Sequence, residues 1–227
     1  MSDERLGEKY QLTRQFDDAV RWAAELHRAQ GKKAYPGPSR VPYLAHLLLV
    51  AGSVLDAGGD ETAGIAALLH DSMEDRDVRP EEIADRTSQE VANIVVACTD
   101  TGDSGVARTA ENSRARKIAY LNHLRRGAHL SSRALLVAIA DKLQNVRSLV
   151  SDYVSDPETV WRKFNVTDPM VNLSYYYQLD KCLNKLVRED DLPARRLGQE
   201  LHRVVTELLT LAGSPSEEDL ASALGPG

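Results

Sequence analysis

Cysteine is almost missing from this chain of 227 residues: only Cys98 and Cys182 occur, and they form no CxxC pair. That excludes a disulfide framework and a cysteine-built structural zinc site, and it points to a reducing compartment, so a cytoplasmic location is expected. Aromatic residues are scarce too, at 5%, so any local cluster of them stands out. No apolar run reaches the roughly 18 residues that a membrane-spanning helix requires. The opening MSDERLGEKYQLTRQ is polar and lacks the apolar core of a signal peptide. No membrane partner is therefore expected. Positive charge is not in excess either. Lys and Arg number 28 against 34 Asp and Glu, for a net charge of −6, which argues against general nucleic-acid binding. A local basic pocket for a small anion stays open, as does assembly into a homo-oligomer. Strand-like alternation and internal repeats are both absent.

What is present is helical periodicity. Residues 1–14 read as a flexible leader. Phe16, Ala19, Val20, Ala23 and Leu26 recur at helical spacing, which predicts a first amphipathic helix over 15–30. The stretch Gly31 to Val41 holds two prolines, two glycines and the cations Lys32, Lys33 and Arg40, and it reads as a basic loop. Pro42 can open the next helix, which would carry His46 and end at Ala57-Gly58-Gly59. Asp60 and Ser88 are N-cap residues for helices ending near His70 to Asp75 and at Cys98. Further helices are expected over 108–126, 131–152, 168–189 and 194–212, with 99–107 a loop. The expected organisation is all-α: a helical bundle over 15–153, C-terminal helices over 154–212 packed on the same domain, and a ragged tail over 213–227.

Four residues carry the chemistry: His46, the adjacent pair His70-Asp71, and Asp141. Two imidazoles and two carboxylates complete a first shell for one divalent ion, and helical bundles build such shells from inward side chains on facing helices. Taken singly, each has a bland reading as a satisfied or solvated side chain. The setting shifts the balance. His70-Asp71 directly follow Ile65-Ala66-Ala67-Leu68-Leu69, and Asp141 directly follows Leu135-Leu136-Val137-Ala138-Ile139-Ala140. A carboxylate on a buried helix face is costly unless it is paired or bound to a cation. Mixed imidazole and carboxylate donors suit Mn, Fe, Zn, Co or Ni. Glu74 and Asp75, one turn past the His-Asp pair, are candidate acid–base groups for a metal-activated water.

These residues resemble the HD superfamily of metal-dependent phosphohydrolases, whose pattern is H…HD…D. The likeness is closer to one branch, the hydrolase domain of RelA/SpoT-type enzymes and the stand-alone small alarmone hydrolases. That branch shows PYxxH, here Pro42-Tyr43-Leu44-Ala45-His46; HDxxED, here His70 to Asp75; and LADxxxN, here Ile139 to Asn145 followed by Val146-Arg147. An upstream HxxQ with basic residues is present as His27-Arg28-Ala29-Gln30-Gly31-Lys32-Lys33. The resemblance spans about 16–153 and implies an HD-domain helical bundle with extra C-terminal helices. It implies that His46, His70, Asp71 and Asp141 hold the metal, usually Mn2+ in this branch, and that Glu74 and Asp75 are catalytic. Lys32, Lys33, Asn145, Lys142 and Arg147 would contact an anionic nucleotide substrate. The implied reaction removes the 3′-pyrophosphate of ppGpp or pppGpp, giving GDP or GTP.

Three departures leave alternatives open. The loop from Lys33 to Pro42 is longer than usual in the family, Ala138 stands where a lysine is usual, and Leu47 replaces a frequent proline. An HD phosphohydrolase acting on an adenine alarmone or a nucleoside monophosphate is one alternative. A catalytically silent nucleotide-binding protein is another, against which the complete Glu74-Asp75 pair argues. With only about 75 residues after the resemblance, no synthetase or regulatory domain is expected. Arg114, Arg116 and Lys117 are either a solvated helix face or phosphate ligands. Tyr175-Tyr176-Tyr177 hold three of the eight tyrosines, and consecutive residues on a helix point three ways, so at least one could face a site while the others pack.

Overall fold

The structure, a computed structural model, describes residues 11–32, 41–99, 112–126 and 130–225. Among these residues it is all helix apart from turns, with one isolated antiparallel bridge between Gly31 and Pro42. The elements are α1 (Arg14–Leu26), α2 (Leu44–Asp56), α3 (Glu61–Leu69), α4 (Ser72–Arg76), α5 (Pro80–Arg86), α6 (Gln89–Cys98), α7 (Ser113–Arg126), α8 (Ser132–Ser155), a 3-10 turn (Val160–Lys163), α9 (Pro169–Leu186), α10 (Leu192–Leu211) and α11 (Glu217–Ser222).

Side-chain caps start most of these helices. Asp60 accepts from Ala63 N at 3.1 Å, Ser88 from Val91 N at 3.2 Å and Ser131 from Ala134 N at 3.2 Å, each satisfying an amide that has no intrahelical partner. Gly58 ends the α2 turn at φ +98°, a backbone region that disfavours side chains. At Gly59 a Cβ would meet Val54 Cγ1 at 2.7 Å and Leu136 Cδ2 at 2.9 Å. Close approach of α2 to α8 thus depends on that glycine.

The axis of the core is α3, in which Ala63 to Leu69 are all buried. It packs against α1, α2, α6 and α8. The longest helix, α8, is buried continuously from Ala134 to Asp141 and passes α2, α3 and α6 on one side and α10 on another. Beyond it, α9 bridges α7, α10 and α11. The first helix stops at Leu26, short of the expected 30, so His27 and Gln30 lie in a turn. Pro42 precedes α2 rather than opening it and pairs with Gly31 instead. Lys32 N donates to Val41 O and Tyr43 N to Gln30 O, both at 2.9 Å, so Gln30 to Lys32 run beside Val41 to Tyr43. The stretch 213–227, expected to be ragged, contains α11. Leu220 and Leu224, one turn apart, are both buried, and Ser174 Oγ donates to Leu220 O at 2.5 Å. Residues 1–10 of the expected 1–14 leader, most of the 99–107 loop and the 108–111 start of α7 lie outside the described residues, and Arg14 already belongs to α1.

Candidate metal centre and its cavity

Three helix segments bring the sequence-predicted ligands together. His46 sits in the first turn of α2 and Asp141 in the middle of α8. His70 and Asp71 occupy a break: α3 ends at Leu69, Asp71 has φ −96° and ψ 0°, and α4 begins at Ser72. On a continuous helix two adjacent residues point about 100° apart. The break lets both side chains reach one point, with His70 Nε2 3.1 Å from Asp71 Oδ2. His46 Nε2 lies 3.3 Å from Asp141 Oδ1 and 3.9 Å from Asp71 Oδ2, and His70 Nε2 lies 3.6 Å from Asp141 Oδ1. His46 is 3% exposed, His70 4% and Asp141 8%. A donor set this far from solvent is held by ion binding or pairing, not by hydration.

The protonation pattern fits a cation site. His70 Nδ1 is 2.8 Å from Ala67 O. A carbonyl only accepts, so Nδ1 carries a hydrogen and Nε2 is the atom that faces the cluster, able to offer a lone pair to an ion or to carry a second proton beside the carboxylates. That Nε2 is buried and has no hydrogen bond of acceptable geometry, with carboxylates standing beside it. Burial works against the His70 imidazolium, and the Asp71 and Asp141 carboxylates outweigh it, raising its pKa well above the usual histidine value. Burial likewise opposes ionisation of the carboxyls. His70 holds Asp71 below the usual carboxylate range, and Lys142 together with the two histidines holds Asp141 below it. A cluster in which protons stand in for positive charge can exchange them for a divalent ion. The residues present therefore fit such an ion.

Outer groups brace the set. The Tyr43 hydroxyl donates to Asp71 Oδ2. Burial and the neighbouring Asp71 push the Tyr43 pKa far upward, so it stays a donor. Lys142 Nζ contacts Asp141 Oδ2 at 2.7 Å and Asn145 Nδ2 donates to Asp141 Oδ1 at 2.6 Å.

The cluster opens into a cavity of about 410 Å³. Its lining includes Glu74, Asp75, Lys32, Lys142 and Asn145 among the expected site residues. Lys32 Nζ donates to Ser148 Oγ at 2.9 Å. Lys142 and Asn145 line the cavity while also holding Asp141, so both brace the candidate ligand cluster and face the cavity. Arg147 does not line it. Two residues past Asn145 on α8, it is turned about 200° away and pairs with Glu200 of α10 at 2.9 Å. Lys33 and Arg40 lie outside the described residues. Arg116 and Lys117 are on the cavity wall, whereas Arg114 caps the end of α11 by donating to Ala223 O at 2.8 Å and to Leu224 O at 3.2 Å. Tyr175 and Tyr176 face the cavity and Tyr177 does not. Lys117 Nζ sits 3.9 Å from the centre of the Tyr175 ring.

Several lining residues escape a reading of the sequence. Tyr43 stands inside PYxxH, yet nothing in the motif assigns it a role. Tyr120, Ser148, Lys163, Phe164 and Asn165 have no motif at all. Only the apolar stripe of α7, which buries Tyr120 beside Leu121 and Leu124, could have flagged one of them. No helix among the described residues is long and apolar enough to cross a membrane.

Comparison with known proteins agrees with this geometry. A family profile described as HD domain matches residues 19–165, more than half of the chain. The chain is 39% identical over 134 residues to guanosine-3′,5′-bis(diphosphate) 3′-pyrophosphohydrolase MESH1 of Xenopus tropicalis, covering 58% of this chain and 68% of that protein. It is 34% identical over 132 residues to a probable guanosine-3′,5′-bis(diphosphate) 3′-pyrophosphohydrolase of Synechocystis sp., covering 56% of this chain but only 16% of that much longer protein. Among solved structures it superposes with TM-score 0.60 and 26% identity on one described as a metazoan orthologue of SpoT that hydrolyses ppGpp and plays a role in starvation responses. That match covers 90% of this chain and 99% of the other.

Proposed function

The chain is a member of the HD domain family, and from that premise we propose that it is a metal-dependent ppGpp 3′-pyrophosphohydrolase using Mn2+. The observation that carries the proposal is the convergence of His46, His70, Asp71 and Asp141 within 3.1–3.9 Å at the edge of a cavity lined with Lys32, Arg116, Lys117, Lys142 and Lys163. The substrate is a guanosine carrying pyrophosphates at 3′ and 5′. Such an anion needs cations on more than one side, which Lys supplies as a point charge and Arg as a two-pronged fork.

His46, His70, Asp71 and Asp141 would hold the ion, which would supply Lewis-acid charge stabilisation and a water of lowered pKa. The Tyr43, Lys142 and Asn145 contacts hold two of those four side chains still. Glu74 and Asp75, on the cavity wall one turn past the ligand pair, take the proton from the attacking water and orient it. The bond between the 3′-oxygen and phosphorus breaks. The water oxygen ends on the released pyrophosphate, a proton ends on the 3′-hydroxyl, and GDP or GTP leaves. Lys32, Arg116, Lys117 and Lys163 balance the charge of the phosphates. The aromatic rings of Tyr175, Tyr176 and Phe164 give the nucleoside a flat surface.

The test is incubation of purified protein with Mn2+ and a panel of ppGpp, pppGpp, an adenine alarmone and nucleoside monophosphates. Release of pyrophosphate and GDP from ppGpp is expected. No turnover above a His70→Ala control would refute the assignment, and phosphate release from a monophosphate with ppGpp untouched would replace it with another nucleotide substrate.

A further inference from the structure

Gln30 lies outside the ligand set, yet it meets the site at two points. Its side-chain Nε2 is 2.6 Å from Asp75 Oδ2 across 45 residues of sequence. Its backbone carbonyl accepts from Tyr43 N at 2.9 Å, and the Tyr43 hydroxyl in turn donates to Asp71. One residue in the turn after α1 thus ties the metal-side carboxylate and the second acid to the same frame.

The orientation of the Gln30 amide is chemically forced. Arg76 Nη2 donates to the other end of the amide, Oε1. A guanidinium has donors only, so the atom facing it is oxygen and the NH2 group faces Asp75. His27 Nδ1 stands 2.8 Å from the same oxygen and must carry its hydrogen. Burial lowers the His27 pKa, which favours that neutral donor. Its Nε2 is then a bare lone pair, and it is buried with no hydrogen-bond partner within the protein. Leaving a buried nitrogen unpaired is costly. The arrangement fixes both ends of Gln30 at the expense of His27.

We propose that Gln30, locked by Arg76 and His27, is a positioning residue that aims the Asp75 carboxylate at the attacking water. The inference rests on the reading of Asp75 as an acid–base group. It also gives the HxxQ element a function: the spacing from His27 to Gln30 closes the turn, with Gln30 N donating to His27 O at 3.0 Å, and places the ring nitrogen against the amide oxygen.

Three single variants and one double variant decide it, measured as kcat and KM for ppGpp with Mn2+, with Mn2+ affinity and thermal stability followed in parallel. Gln30→Glu keeps the shape and an oxygen that accepts from Arg76 but replaces the N–H donor to Asp75 with a carboxylate oxygen that repels it. It is expected to lower kcat roughly 10- to 100-fold, the scale of a misplaced catalytic group, with KM nearly unchanged. Gln30→Ala should lower kcat similarly. Asp75→Asn should lose at least as much, and adding Gln30→Ala to Asp75→Asn should cost little more, because the two act as one unit. Wild-type kcat in both Gln30 variants with Asp75→Asn impaired would overturn the positioning role alone. A fully active Asp75→Asn would overturn the role of Asp75 and the proposal with it. Should Gln30→Ala fail to fold, the isosteric Gln30→Glu still decides the matter. Losses in KM and stability without loss of kcat would mark Gln30 as a structural residue and also overturn the proposal.

Discussion

The part of the cavity wall built by the start of α2, the break before α4 and α8 holds its candidate metal ligands buried or half-buried and cross-braced, whereas the part built by α7, the 3-10 turn and α9 carries cations on long side chains over aromatic rings. In the first, His46, His70 and Asp141 are almost fully buried, and each carboxylate has a named brace: Tyr43 on Asp71, and Lys142 and Asn145 on Asp141. In the second, Lys117 lies over Tyr175 and Lys163 pairs with Asp152. The first arrangement suits a group whose position must not change during reaction, because buried dipoles and charges act strongly at low dielectric. The second suits recognition of a flexible, highly charged ligand, where long side chains can follow the phosphates. Under the proposed function, chemistry and recognition divide between the two parts of one cavity.

The largest effects should come from breaking the braced wall. Asp141→Ala removes a proposed ligand and takes from the half-buried Lys142 its carboxylate partner, so divalent-metal binding and turnover should disappear together. Calorimetric titration with Mn2+ beside the ppGpp assay checks this, and retained metal binding with lost activity would reassign Asp141. Glu74→Gln should keep the metal and lower kcat by about 10²-fold, the usual scale of acid–base catalysis. An unchanged kcat would remove Glu74 from the proposed mechanism. Tyr43→Phe deletes only the hydroxyl that holds Asp71. Loss of such an outer hydrogen bond typically weakens metal affinity roughly 10-fold or more, which metal titration would read directly.

The braced wall was also the part legible in the sequence, and the reason is local. His70-Asp71 and Asp141 each end an apolar run that must be buried, so their polarity is conspicuous against it. The caps at Asp60 and Ser88 follow from side-chain chemistry within three residues, and the structure has both. The recognition part was mostly hidden. Lys163 ends a short 3-10 turn with no periodic pattern, Phe164 and Asn165 follow it, and the three reach the cavity only through the packing of α8 on that turn. Arg147 shows the opposite failure. Its closeness to Asn145 in sequence suggested the same role, but helix rotation carries it to Glu200. Of the adjacent cations Arg114, Arg116 and Lys117, two face the cavity and one holds the C-terminal helix, a division that depends on where α11 docks. The tail was misjudged for a related reason: six residues are too few for a visible stripe, and Leu220 and Leu224 signal burial only once α9 is there to receive them.

Smaller effects should follow from the recognition part. Lys117→Ala removes one cation and the contact with the Tyr175 ring. KM for ppGpp should rise roughly 5-fold, the scale of one partly exposed charge-assisted contact, with kcat nearly constant. The rise should shrink at high salt, because exposed charges are screened. A fall in kcat with unchanged KM would place Lys117 with the chemistry instead and would erase the division between the two walls.

The smallest effect should come from outside both walls, at the seam of α8 and α10. Arg203 and Arg147 hydrogen bond to Glu200 and hold its pKa down to about 2 from the ordinary 4.5. Because the folded pKa lies below the unfolded one, this contribution to stability is complete above about pH 4.5 and is lost as pH falls from there towards 2. Partly exposed pairs contribute little, so Glu200→Gln should lower the melting temperature at pH 7 by no more than about 2 °C. The gap from the wild type should narrow as the pH drops below 4.5, in melting curves recorded across that range. A gap that stayed constant with pH would mean that Glu200 acts through packing of its methylenes and not through its charge. An accompanying loss of turnover at pH 7 would show that the α8–α10 seam sets the position of Asp141, joining the scaffold to the braced wall that the structure keeps apart from it.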